Sequence, residues 1–296
     1  MFSIDNENKC CNEYAPITHE ETIKLKRNTV RQLNSTEWIK ERGLRSTASI
    51  FAKIAKRKKQ VNGKSIMTPE KFTSATTSYG ITQETIAKES YAEKFRDRYL
   101  HDYRLVVNPS YSFLGATPVG KVCIDSITGI IESKCPYAVR EMKIEQAIEA
   151  QHIYLTKEGY NIKINKAHGY YYQVQGQLFV TGAPFCEFIA YTKLDLTVDR
   201  VLPDPDFQTT LFKKLCKFYK TYSIPFLQNL PTLSVRVPFS FGLLCSDSTS
   251  DSEFSHVSGR LSVSILCFLG LGLASYNCPP VAGMFYCRNS INKVLK

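Results

Sequence analysis

GATPVGKVCIDSITGIIESKCPY, residues 115–137, decides how the rest of the chain is read. KVCI and GIIESK are apolar β-type runs, and DSITG reads as the bend between them. Pro136 cannot continue a hydrogen-bonded ladder, so it ends the second strand. Residues two apart on a strand share a face, which puts Glu132 and Lys134 on one side and Ile131 and Ser133 on the other. On a solvated strand, Glu-x-Lys is an ordinary surface pair of little energetic consequence. Ile130 and Ile131 argue instead for a central strand, where charges are not casually placed. A carboxylate beside an ammonium on such a strand can hold a divalent metal and position water or phosphate.

Outward from this stretch, the pattern alternates helices and strands. Ser35 or Thr36 caps a short helix carrying Trp38 and Ile39 and ended by Gly43. Thr47 starts another, with Ile50, Phe51 and Ile54 on one face. Thr68-Pro69-Glu70 reads as a cap followed by proline at the first helical position. A longer helix is expected from Thr82 to about Tyr99, with Ile86, Ala87, Tyr91 and Phe95 as its buried stripe. LVVN and FLGAT precede KVCI as short strands, MKIEQAIEAQ returns to helix, and NIKIN is a brief strand. GYYYQVQGQLFVTG fits helix or strand by pattern. CEFIAYT and LTVDRVL read as an antiparallel pair, and Asp204-Pro205 opens a helix with Leu211, Phe212, Leu215 and Phe218 inward. The expected fold class is α/β (α+β), a central mixed β-sheet flanked by helices.

Three segments are expected: a loosely ordered polar arm at 1–34, a domain at 35–228, and a divergent low-charge apolar tail at 229–296. Residues 261–287 carry no charge, but Gly, Ser and Pro279-Pro280 argue against a membrane span, so no membrane partner is expected. The N-terminus lacks the apolar core of a secretory signal. The ten cysteines include no Cys-x-x-Cys, which argues against a zinc ribbon. Their simplest state is reduced, in an intracellular setting, cytoplasmic or nuclear. KIAKRKK at 53–59 reads either as a nuclear address or as the solvated end of a helix. A net charge of +11 suits a polyanion partner and equally a merely basic, soluble surface. The five histidines have no ligand spacing and are assigned to no metal.

TASIFAKI, SYGITQE, GATPVG, IIESKCP and YYYQVQGQLFVTG, in that order, resemble the YqaJ-type viral recombinase domain. This is the lambda exonuclease family of PD-(D/E)XK nucleases, and the similarity spans about residues 35–227. The resemblance implies a restriction-endonuclease-like core and a Mg²⁺- (or Mn²⁺-) dependent exonuclease that processes duplex DNA ends for recombination. It places the helix glutamate at Glu84, the Glu-x-Lys at Glu132 and Lys134, and the Gln-Val-Gln at Gln173 and Gln175. Glu132 and Glu84 would hold the metal, and Lys134 would help orient the attacking water. Arg45 and Ser49 match an Arg-x-Thr-Ala-Ser-like element suited to a DNA phosphate. Duplex DNA ends, a single-strand annealing protein and a homo-oligomer are the partners the family suggests.

The sequence departs from the family at one position. Pro118-Val119-Gly120 stands where the pattern reads Pro-Asp-Gly, and valine offers no lone pair to a cation. Asp125 lies in the expected bend and is not expected to substitute. The readings are therefore an exonuclease impaired at Val119, a DNA-binding protein without catalysis, or a decayed product of a mobile or viral element. Tyr170 to Tyr172 can stack on bases or pack the core.

Overall fold

In chain order the helices are α1 (His19–Asn28), α2 (Thr36–Gly43), α3 (Phe51–Ala55), α4 (Ala75–Lys94), α5 (Ile144–Glu149), α6 (Gly169–Thr181), α7 (Pro205–Phe218) and α8 (Ile224–Gln228). The strands are β1 (Ser46–Thr47), β2 (Tyr99–Asp102), β3 (Val106–Val107), β4 (Leu114–Ala116), β5 (Gly120–Ile124), β6 (Ile127–Lys134), β7 (Leu155–Glu158), β8 (Asn161–Ile164), β9 (Cys186–Tyr191) and β10 (Leu196–Val201). This computed structural model describes residues 11–29, 36–58, 66 and 74–229. The Thr68-Pro69-Glu70 cap and the tail from residue 230 onward lie outside the described residues. Among the described residues, no helix is long and apolar enough to cross a membrane.

Five strands form a mixed sheet in the order β10-β9-β6-β5-β2. The central strand, β6, pairs antiparallel with β5 and parallel with β9. Asp125 and Ser126 close the β5–β6 hairpin, with φ of +48° and +64°. Two consecutive positive-φ residues give the backbone twist that a two-residue hairpin requires. Strand alternation then divides the core. Ile130 joins Val174, Leu178 and Phe188 under α6, while Ile131 joins Tyr91, Val122 and Ile189 on the other face with α4. A smaller sheet, β1-β4-β3, leads through Thr117 and Pro118 into β5.

GYYYQVQGQLFVT resolves as helix α6. His168 caps its start, with Nδ1 accepting from the Tyr170 N–H at 3.2 Å. Gly182 ends it in the left-handed region at φ +68°, its N–H donating to Leu178 O at 2.9 Å. Tyr171, Val174 and Leu178 are buried against the sheet, and Gly176 meets α3. A Cβ at Gly176 would stand 2.3 Å from the fully buried Phe51 ring. Gly176→Ala is therefore expected to destabilise the fold by about 1–3 kcal/mol through overpacking. Thermal unfolding of the variant and parent chains measures it, and an unchanged midpoint would show that α3 gives way freely.

Two expectations are corrected. Part of the presumed loose arm is packed: Cys11, Ala15 and Leu25 are buried, and α1 begins with a Thr18–Glu21 capping box. The long helix starts earlier than Thr82, at Ala75, and Ile86 is 39% exposed rather than part of a buried stripe. Only Ala87 and Tyr91 of α4 are buried. Tyr171 is also buried, Tyr170 meets Tyr154 edge-on, and Tyr172 packs on Phe207, so the tyrosine run contributes to packing.

Candidate active site

β6 delivers Glu132 to the α6 face of the sheet, where the side chain is only 3% exposed. A buried carboxylate requires compensation, and it receives three donors. Lys134 Nζ donates to Glu132 Oε1 at 2.6 Å, and Gln173 Nε2 donates to the same oxygen at 2.7 Å. Gln177 Nε2 donates to Oε2 at 2.8 Å. Burial pulls the Lys134 ammonium down, but the Glu132 charge and hydrogen bond outweigh it and raise Lys134 above its ordinary value. Lys134 also lies 4.9 Å from the Tyr170 ring centroid, and its carbonyl accepts from Tyr154 Oη at 3.1 Å.

Glu84 comes from the exposed side of α4. Partial desolvation and the nearby Glu132 charge raise its carboxyl above the ordinary range, against the opposing pull of Lys134 and Lys88. Hydrogen bonds bring Glu132, Lys134, Gln173 and Gln177 together, and Glu84 lies near enough for the charges of Glu132 and Lys134 to act on it. Cys135, next in sequence, is pushed up to about 12 by burial and by Glu84, which keeps it a neutral thiol.

Gln175 is not part of this group. Its Nε2 donates to Leu202 O at 2.9 Å, and its Oε1 accepts from the Asp204 N–H and from Gln208 Nε2. On a strand, residues 173 and 175 would share a face; on a helix they point apart. Helical spacing of four instead pairs Gln173 with Gln177, which sequence reasoning missed although the i, i+4 signal was present.

Arg45 is likewise corrected. It is 3% exposed, with Nε donating to Ser112 O at 2.7 Å and Nη1 to Glu41 O at 3.1 Å and to the Glu41 carboxylate. Arg45 stitches the fold and offers nothing outward. Arg42, half-buried, is the cation beside Ser49 instead, and burial lowers its guanidinium below the ordinary value. Its Nη2 lies 3.4 Å from Ser49 Oγ and 3.5 Å from Thr47 Oγ1, and its guanidinium stacks 4.3 Å from the Trp38 ring. Ser49 itself is exposed.

Val119 precedes β5 and donates its N–H to Ile131 O at 3.0 Å, while Gly120 is in register with the same Ile131. It therefore stands beside the end of β6 that carries Glu132. Asp125 is exposed at the far end of the hairpin, more than five strand residues from Glu132, about 17 Å of chain at ~3.4 Å per residue.

A mixed sheet with Glu-x-Lys at the end of its central strand, flanked by a glutamine-bearing helix, defines a PD-(D/E)XK-type exonuclease fold. Residues 37–184 match the YqaJ-like viral recombinase domain, and the chain belongs to that family. Among solved structures it is similar to the exonuclease LHK-Exo of Laribacter hongkongensis in complex with dAMP. That likeness has a TM-score of 0.51 and 20% identity, covering 66% of this chain and 95% of the other. It is also similar to the SOX protein of the Kaposi's sarcoma-associated herpesvirus in an RNA complex. There the TM-score is 0.52 and the identity 14%, covering 68% of this chain and 73% of the other. No curated protein sequence matches the chain.

Proposed function

We propose that this chain binds duplex DNA ends through phosphate contacts and hydrolyses phosphodiesters at or near background. The observation that carries the reading is the state of Glu132, whose charge is met by Lys134, Gln173 and Gln177 while valine occupies position 119. Two metals working together stabilise both the attacking and the leaving oxygen of a phosphodiester, and that arrangement needs several carboxylates. Among the described residues, no three or more His, Cys, Asp or Glu side chains come together to hold a metal. A carboxylate has about four lone-pair sites, and three of those on Glu132 are taken. Gln177 Oε1, buried and without a hydrogen-bond partner, is a further oxygen. The residues thus fit one weakly held Mg²⁺ or Mn²⁺, not two.

Glu132, with Glu84 at the rim, would hold that ion, which when bound would polarise a phosphoryl oxygen. Lys134 keeps its proton and orients Glu132, and Gln173 fixes the shared oxygen. Arg42 and the exposed Ser49 form the phosphate anchor in place of the buried Arg45, since a guanidinium beside a hydroxyl suits that anion. The solved relatives, one with dAMP and one with RNA, support a nucleic-acid cleft. A single-strand annealing protein as partner and self-association belong to the same proposal.

Fluorescence anisotropy with a 5′-phosphorylated linear duplex across a salt series tests the binding. Affinity should fall log-linearly with salt as released counterions accumulate. Arg42→Ala should weaken binding and reduce the salt slope by about one. Absent or salt-independent binding at low salt would remove DNA as the partner.

A further inference from the structure

Gln177 carries one feature the fold does not explain. It is 1% exposed, and its Nε2 is used on Glu132 Oε2, yet Oε1 has no hydrogen-bond partner among the described residues. A buried amide carbonyl left alone is an unpaired acceptor, which folded proteins rarely retain. The two ends of a carboxamide are nearly equal in shape but opposite in hydrogen-bonding character. Turning the amide over would set Oε1, not Nε2, beside Glu132 Oε2. Two oxygens face to face repel unless a cation lies between them.

We propose that Gln177 supplies a neutral oxygen ligand, with Glu132 Oε2, to a single divalent cation, and so occupies part of the role left open by Val119. This rests on the reading of Glu132 as the cation-holding carboxylate. The amide has two settings. In the first, seen here, Nε2 donates to Glu132 and the carboxylate is satisfied by protein alone. In the second, Oε1 and Glu132 Oε2 are both turned to the ion, and Nε2 takes the place that Oε1 held. Hard cations accept amide oxygens as well as carboxylates, so the substitution is chemically reasonable. One charge fewer than the Pro-Asp-Gly arrangement makes the site weak. Gln173 shows no such orphaned buried carbonyl, so the same argument does not extend to it.

Mn²⁺ titration of the full chain, followed by loss of the free-ion electron paramagnetic resonance signal, tests this without any activity. The parent should bind one Mn²⁺ weakly, and Glu132→Gln should abolish that binding. Gln177→Leu should weaken it by at least about tenfold, since loss of even an outer-shell partner of a ligand costs about 10–100-fold in affinity. Gln177→Glu, which restores a carboxylate, should tighten it by a similar factor. If Gln177→Leu does not fold, the Gln177→Glu titration carries the test alone. Unchanged affinity in the Gln177 variants, with binding lost in Glu132→Gln, would overturn the role of Gln177 while leaving Glu132 as the ligand. No binding by the parent, or binding indifferent to Glu132→Gln, would overturn both.

Discussion

Val119→Asp is expected to turn background hydrolysis into metal-dependent digestion of linear duplex DNA, a gain of at least ~10²-fold. A misplacement of only about 1 Å can cost a reaction that much, and loss of a ligand displaces more than that. The position is suited to the rescue because its N–H is already hydrogen-bonded to Ile131, next to Glu132. Nucleotide release from end-labelled duplex with Mg²⁺, parent against variant, measures it. Digestion by the variant alone would mean a nuclease frame silenced at one residue. If neither chain cuts, the damage extends beyond Val119, and the reading of a decayed viral or mobile-element product gains.

The second large effect concerns stability, on the opposite face of the sheet. Glu187 is 1% exposed in β9, in register with Ile131 rather than Glu132. Tyr91 Oη donates to its Oε2 at 2.6 Å, Arg98 pairs with the same oxygen, and Arg200 donates to Oε1 through Nε at 2.9 Å and Nη2 at 2.6 Å. Burial, with the Glu187 charge adding to it, pushes the Tyr91 hydroxyl far above its usual range, so it stays a donor. Breaking a buried pair from one side costs about 3–5 kcal/mol because the remaining charges are stranded. Glu187→Gln should fall near the low end, since Arg200 is half exposed and can turn to water. Denaturant unfolding should show the loss while DNA binding by the folded variant is unchanged. Lost binding with full stability would assign Glu187 to the nucleic-acid cleft instead.

Much of this was legible in the chain because local patterns and tertiary structure agree. Period-two alternation in GIIESK placed Glu132 and Lys134 together, and the Asp125-Ser126 bend set the hairpin. The misreadings occur where partners distant in sequence decide the outcome. Gln175 looks equivalent to Gln173 until α6 is known to be a helix, after which Gln175 points at Asp204 and Gln208. Arg45 looks like a phosphate ligand until Ser112, 67 residues away, is seen to take its Nε. Cys11 reads as part of a polar arm, but it is buried beside Cys216 O, 205 residues away. No local signal in the chain encodes those contacts.

The most direct test of the central claim uses the unaltered chain with a 5′-phosphorylated linear duplex and Mg²⁺, measuring bound DNA and released nucleotide in the same reaction. A salt-sensitive complex is expected, with release no greater than in a protein-free control. Processive release of nucleotides by the unaltered chain would contradict it, and would mean that another group completes the centre that Val119 leaves short.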